Sequence, residues 1–406
     1  MLKLSVAAGV PLIAITTRDT LNFPSVVEAH TGKTPTRIDP ANTSQMAAFA
    51  KADSKQKLFW MVPNPRIEYD YVDLYKKMLD VGGSLIVANP KHIVEPMFAA
   101  GEVAVPQKLT IAFLKNIVSE EKRAHDLARV LGGCTIKETA ELVRLTMARD
   151  ASLTPDGLMQ TRRDVFQPGK GLAPIDTAQA YYGAPQPLQA WVEREKPFFL
   201  HGPDPRLMPR GLLFNGPPGT GKTSGAKWIA HQFGVPLFRV DVAGAKGRFV
   251  GDSETTLALN LSRVDQEEPC VALIDEVEKL FGHESHDSGT TAGMLSQMLW
   301  WLAEHKSRVL TIMTTNNDKI LPKELYREGR IDEVMTFLGV PAGVERRGFV
   351  ENVLRTFAVT KGWGKADMTL AVNSVVKMAG ESEHVPQAKL TELAYRYLKI
   401  HNGLSS

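Results

Sequence analysis

The sequence predicts an α/β protein of two or three domains organised around a parallel sheet, and three observations point to it. Between Arg210 and Thr223, "RGLLFNGPPGTGKT" runs from an apolar stretch (Leu212, Leu213, Phe214) through a Gly-rich turn into the helical sequence "SGAKWIAHQFG", which is the pattern of strand, phosphate loop and helix. Two later apolar runs, "VALIDE" and "RVLTIMTTNN", end in polar tips, as strands do where a crevice forms at their carboxyl ends. Ahead of them, residues 1–120 alternate strand-like with helical sequence. A chain of 406 residues also exceeds what one core buries compactly.

Residues 1–120 read as a smaller Rossmann-like α/β domain, with "PLIAITT", "KLFWMV" and "SLIVA" as strands and "DYVDLYKKMLDVG" as a helix between them. The opening "MLKLSVAAGVPLIAITTRD" reads as a first buried strand rather than a leader, because its apolar run continues into threonines. No phosphate loop and no acidic pair after an apolar strand occur here, so nucleotide chemistry is read as absent or lost.

Residues 121–170 read as a helical subdomain. The segment "LTIAFLKNIVSEEKRAHDLARVLGG" closes on glycines, Thr135 caps "IKETAELVRLTMARD", and "LTPDGLMQTRRDVF" supplies another helix. Arg144, Arg149, Arg162 and Arg163 admit a nucleic-acid face, but the Glu and Asp interspersed among them favour a solvated helix surface. Pro, Gly and Ala mark 171–190 as a linker. The amphipathic "LQAWVEREKPFFLHG" then leads into a domain spanning 191–342.

Bulk composition narrows the partners. A formal charge of +3 argues for neither nucleic acid nor an anionic membrane. Cys134 and Cys270 lie far apart without metal-ligand spacing, which fits small apolar residues in a reducing compartment. With no apolar stretch of membrane-spanning length, a cytoplasmic protein is expected.

The chemistry gathers in the central domain. Gly216, Pro217, Pro218, Gly219, Thr220 and Gly221 form a loop whose glycines let successive N–H groups converge on an anion at the positive end of the following helix. The expected guest is a triphosphate, with Lys222 reaching its β- and γ-phosphates and the Thr223 hydroxyl ligating Mg²⁺. Asp275 and Glu276 are adjacent carboxylates at the end of an apolar strand, a placement that costs stability unless a cation or a water needs them. Asp275 would hold Mg²⁺, and Glu276 would orient and deprotonate the attacking water. Asn316 ends the next apolar strand, so a parallel sheet would set its amide beside the carboxylate pair, within reach of the γ-phosphate or the water.

With these residues in hand the chain resembles the AAA+ ATPases, and within them the classical AAA clade. "GPPGTGKT" matches the Walker A motif, "VALIDE" Walker B, "TTNN" the sensor 1 segment, and "LYREGRIDE" the arginine-finger segment. The resemblance implies a doubly wound parallel sheet of the P-loop kind followed by a helical lid, here 343–406. It makes Arg327 and Arg330 the fingers that reach a neighbouring copy's γ-phosphate, which implies a homo-oligomer, expected to be a hexameric ring. The alternative at the level of the residues is that both arginines pair with Glu328 or Asp332. "KGRFVGDSE" is similar to the first pore loop of the family, which puts Phe249, flanked by Arg248 and Val250, in a channel that grips an extended polypeptide; the plain alternative is a core Phe249.

A narrower resemblance is to the AAA family of a chloroplast open reading frame, which has a degenerate RecA-like domain ahead of one AAA module. It rests on "HDSGTTAGMLSQMLWWL" and "LVRLTMARDASLTPD". In the lid the family's Gly-Ala-Asp/Glu signature is replaced by "VPQAKL", so Lys389 either reaches a phosphate or faces solvent. His283, His286 and Asp287 lie in a polar loop that fits a mobile segment better than a metal site. The function implied is a Mg²⁺-dependent ATP-hydrolysing motor that remodels or threads a protein. The alternatives are an ATPase acting on nucleic acid and an assembly protein that ATP merely gates.

Overall fold

The computed structural model describes residues 1–39, 57–165, 171–177, 183–202, 204–242, 252–280, 288–327, 329–361 and 365–401. The chain separates into two compact units, Met1–Leu158 and Met159–Ser406.

In the first unit, β1 (Leu12–Thr16), β2 (Thr36–Arg37), β3 (Leu58–Met61), β4 (Ser84–Ala88) and β5 (Phe98–Glu102) form a parallel sheet in the order β2-β3-β4-β1-β5. Alternate residues of each strand face opposite sides, and the sheet is covered on both. Ile13, Ile15, Trp60 and Ile86 pack with Phe23, Val26 and Val27 of the helix Phe23–Thr31. Leu12, Phe59, Leu85 and Val87 pack with Leu74 and Met78 of the helix Tyr71–Val81. That second helix starts where the Asp70 carboxylate accepts the N–H groups of Val72 and Asp73, and it stops at Gly82 in the left-handed region.

The opening residues depart from the strand expected of them: Leu2–Ala7 is a short helix, and the strand begins only at Leu12. "LTIAFLKNIVSEEKRAHDLARVLGG" is two helices rather than one, Gln107–Lys115 and Glu121–Val130, the first of them lying within the stretch 1–120 assigned to the α/β domain. Thr135 caps the helix Ile136–Asp150 through a reciprocal box with Glu138.

In the second unit, β6 (Leu172–Ile175), β7 (Gly211–Asn215), β8 (Leu237–Val240), β9 (Cys270–Ile274), β10 (Val309–Thr315) and β11 (Glu333–Thr336) form a sheet in the order β11-β7-β10-β9-β8-β6. It is parallel except for β6, which pairs antiparallel with β8. The linker expected at 171–190 is corrected at its two ends: Leu172–Ile175 form an edge strand, and the helix Gln186–His201 is under way before 190. The Pro and Gly content that suggests a linker is also what a sheet edge tolerates, and Pro174 sits on that edge. Leu213, Ala272, Ile274 and Met313 face one apolar layer, while Leu212, Phe214, Val271, Leu273 and Ile312 face the other. Set out from its fifth strand, the first unit reads β5-β1-β4-β3-β2, and the second, edge strand aside, β11-β7-β10-β9-β8. The two sheets share one strand order, with the switch point between first and fourth strands.

A helical lid closes the second unit. β12 (Val340–Pro341) pairs antiparallel with β13 (His384–Val385), and the helices Val344–Lys361, Lys365–Ala379 and Gln387–His401 bury Val350, Leu354, Val375, Leu390 and Leu398 together. Arg346, almost fully buried, donates to the carbonyls of Gly380, Ser382 and Glu383 and so ties the first lid helix to the turn before β13. Among the basic residues weighed as a nucleic-acid face, Arg149 pairs with Asp150, Arg162 with buried Glu267, and Arg163 with Asp176.

Candidate active site

β7 lies between β11 and β10, and its carboxyl end delivers the chain into the loop Gly216–Gly221. Two glycines there are demanded by the backbone and its neighbours. Gly216 has φ +151°, and a Cβ on it would lie 2.1 Å from the Phe337 carbonyl oxygen; Gly221 has φ +100°, and a Cβ on it would lie 2.3 Å from Gln387 Oε1. Gly221 is the N-cap of the helix Lys222–Phe233, so that helix opens toward the loop with the N–H groups of its first turn lacking in-helix acceptors. The Thr220 hydroxyl donates to the Pro217 carbonyl at 2.8 Å and braces the loop from within.

Lys222 is buried, with its ammonium donating to Gly216 O at 2.6 Å, Pro217 O at 3.0 Å and Asn316 Oδ1 at 2.9 Å. Burial pulls its pKa below the ordinary lysine value, against the opposing pull of Glu278, Asp275 and Glu276. The parallel register sets Met313 of β10 beside Ile274 of β9, so the next residue of each, Thr314 and Asp275, meet. Asp275 Oδ1 accepts from Thr314 Oγ1 at 2.5 Å and from Thr223 Oγ1 at 3.4 Å. The same Thr314 oxygen accepts the Glu276 N–H at 2.9 Å. Glu276 has φ +53°, a conformation a non-glycine residue adopts only when its surroundings impose it, and that hydrogen bond is part of what holds it. Its carboxylate pairs with Lys279. Asn316, one residue past β10, donates from Nδ2 at 3.0 Å and from its backbone N–H at 3.1 Å to Glu278 Oε1.

Lys222, Thr223, Asp275, Glu276, Thr314 and Asn316 line a cleft of about 1100 Å³ whose other wall is the lid, including Phe349, Gln387, Ala388, Thr391 and Tyr395. The lid is tied to the loop directly, since the Ala388 N–H donates to the Gly219 carbonyl at 3.0 Å. A cleft of this size with a helix N-terminus, a buried ammonium and a hydroxyl–carboxylate pair fits a nucleoside triphosphate with its cation. Among the described residues no group of three or more His, Cys, Asp or Glu is arranged to hold a metal. The groups placed to hold a cation beside a bound phosphate are Thr223 and Asp275, whose side-chain oxygens lie 3.4 Å apart.

The model of the ATPase family associated with various cellular activities (AAA) matches residues 212–338. The chain carries an AAA domain. It is homologous to the AAA domain-containing protein ycf46 of Guillardia theta, 32% identical over 333 residues covering 81% of this chain and 59% of that protein. Ycf46 of Gracilaria tenuistipitata var. liui is 31% identical over 256 residues, 60% of this chain and 51% of that protein. The chain thus spans a little over half the length of these relatives. The peroxisomal ATPase PEX6 of Saccharomyces cerevisiae is 31% identical over 156 residues, 37% of this chain and 15% of that protein.

Lys222, Thr223, Asp275, Glu276 and Asn316 of the AAA domain meet in the one cleft, and Arg327 and Arg330 do not line it. Arg330 donates to the Glu324 carbonyl at 2.5 Å, while Arg327 is exposed and makes no side-chain hydrogen bond or ion pair among the described residues. Asp332 pairs with neither: its Oδ2 accepts the N–H groups of Arg210 at 2.5 Å and Gly211 at 2.9 Å, fastening β11 to the start of β7. Lys389 is exposed and pairs with Glu392 at 3.2 Å. Arg248, Phe249 and Val250, expected as a pore loop, lie outside the described residues, as do His283, His286 and Asp287.

The first unit has no loop of this kind at its switch point. There Asn89, at φ +53°, accepts the Thr17 N–H at 2.7 Å and donates to the Thr17 carbonyl at 2.8 Å, joining the ends of β4 and β1. Sequence reasoning passed over Thr314, Glu278 and Lys279. The doubled carboxylate in "DEVEK" was the available signal for Glu278; Thr314 carried none.

Proposed function

We propose that the protein is a ring-forming, Mg²⁺-dependent ATPase that remodels or threads a protein substrate through a central pore. The observation that carries the hydrolytic part is the convergence of Lys222, Thr223, Asp275, Glu276 and Asn316 on one cleft beneath a helical lid. On this reading the loop and Lys222 bind the phosphates, and Mg²⁺ when bound neutralises phosphate charge beside Thr223 and Asp275. Glu276, freed from Lys279, accepts a proton from the water that attacks the γ-phosphorus as the bond to the ADP oxygen breaks.

Arg327 and Arg330 act on the site of a neighbouring copy, a reading supported by their sequence context and by the exposure of Arg327. The threading part rests on the Arg248–Val250 resemblance, and the hydrolytic part is further supported by the likeness to a peroxisomal ATPase. The homo-oligomer is taken to be a hexamer. Cys134 and Cys270 are both buried, and the described residues contain no helix long and apolar enough to cross a membrane; we take the cytoplasm as the site of action. The proposed division extends the ATPase subdomain back from 191 to β6, keeps its end at 342, and keeps 343–406 as the lid.

Glu276→Gln tests the reaction. The variant should bind ATP and hold it without turnover, and an unfolded protein added to it should be captured with the ring. Undiminished phosphate release by this variant would remove Glu276 from the role of base.

A further inference from the structure

Glu278 takes no part in that chemistry, yet it is hydrogen-bonded to Asn316, which does. It lies on the single 3-10 turn Val277–Leu280 that follows the carboxylate pair, and Val277 anchors that turn in the core at 1% exposure. One of its oxygens, Oε1, accepts both the backbone N–H and the Nδ2 of Asn316. Its other oxygen, Oε2, is buried and has no hydrogen-bond partner among the described residues, an arrangement that stability alone disfavours. An amide side chain has one donor end and one acceptor end. By engaging the donor end, Glu278 commits Oδ1 of Asn316 to the cleft, where it accepts from Lys222 at 2.9 Å.

We propose that Glu278 is a positioning residue for hydrolysis: it fixes the Asn316 amide with its acceptor oxygen facing the reaction. The consequence is specific. An oxygen acceptor suits the O–H of an attacking water and the Lys222 ammonium, and it repels a phosphate oxygen, so of the two tasks open to Asn316 the tether selects orientation of the water. Glu278 also lies close enough to weigh most among the carboxylates acting on Lys222, which balances that charge until a triphosphate takes it over. This inference rests on the ATPase reading and deepens it.

The test separates positioning from structure and from that reading. In the full chain, Glu278→Ala should lower kcat about 30-fold while the affinity for Mg²⁺-ATP stays within about threefold, as expected when an interaction acts on the chemical step rather than on binding. Glu278→Gln keeps a carbonyl oxygen that can accept both Asn316 donors, so it should restore kcat to within about threefold of wild type. In an Asn316→Ala background the Glu278→Ala change should have no further effect on kcat. Losses that simply multiply, or an affinity loss as large as the kcat loss, would overturn the proposal.

Should the alanine variant not fold, Glu278→Met fills the site without an acceptor and is read the same way. Absence of wild-type turnover at saturating Mg²⁺-ATP would strike the ATPase reading instead. The tether is then judged without turnover, by hydrogen exchange of the Asn316 side-chain amide in asparagine-labelled protein. Exchange should be slow in wild type and fast in Glu278→Ala, and equal rates would overturn the tether.

Discussion

Replacing Thr314 by valine removes one oxygen and nothing else of size, and the structure puts that oxygen between both members of the carboxylate pair. Thr314 is 1% exposed. Its hydroxyl donates to Asp275 Oδ1 at 2.5 Å and accepts the Glu276 N–H at 2.9 Å. A hydrogen bond to a charged group is worth about 1.5–3 kcal/mol and a neutral one about 1 kcal/mol. Valine keeps the β-branched shape that β10 wants and regains little by its extra methyl. The sum is a loss of about 2–4 kcal/mol.

For a unit the size of Met159–Ser406 this lowers Tm by roughly 4–16 °C, read by thermal melts of the full chain. The loss should also appear in the chemistry. Glu276 at φ +53° loses a bond that holds its backbone, so kcat should fall about 10- to 100-fold, with Thr314→Ser retaining most of both properties. A valine variant with unchanged Tm and unchanged ATP turnover would refute the reasoning.

Two further predictions follow from buried groups. Gly221→Ala places a Cβ 2.3 Å from Gln387 Oε1 at φ +100° and should weaken ATP binding while costing about 1–3 kcal/mol of stability; adding Gln387→Ala relieves the contact but not the backbone strain, so urea melts of the double variant should recover only part of the loss. His305 is stacked on Trp301 and buried, and burial pushes its pKa down to about 4. Its folded pKa lies below its unfolded value of 6.5, so the unfolded chain takes up the proton first. Stability should accordingly fall by about 2 kcal/mol between pH 7.5 and 5 on this account, and His305→Phe should flatten that part of the urea-melt profile.

That the turn Gly216–Gly221, Asp275, Glu276 and Asn316 come together at one cleft is legible because the pattern is local: glycines at fixed intervals, a lysine and threonine at a helix start, polar tips on apolar strands. Asn316 in addition required only that successive parallel strands lie side by side, which the β9–β10 register supplies. Thr314 and Glu278 act through contacts made in space by side chains that look ordinary in the sequence, one a strand threonine and the other a glutamate on a charged turn. In the sequence Asp332 stands as a possible partner of the arginines. A side-chain oxygen that accepts two backbone N–H groups of another strand leaves no pattern along the chain. β6 was hidden for a different reason, since an edge strand pairs on one side only and so tolerates the Pro and Gly that elsewhere mark a linker. The lid was legible as helices, while the Ala388–Gly219 hydrogen bond that ties it to the loop is again a contact between backbones far apart in sequence.

The central claim is that one subunit supplies Glu276 and its neighbour the guanidinium groups. Mixing two inactive variants tests it most directly: Glu276→Gln, which keeps its arginines, and the double variant Arg327→Ala/Arg330→Ala, which keeps its base. Each alone should release almost no phosphate. Co-assembled in equal amounts, about one seam in four should join an intact base to intact arginines, so turnover should return to about a quarter of the wild-type rate. A mixture as inactive as its components, together with a wild-type chain that turns over at full rate as a dilute monomer, would contradict the account.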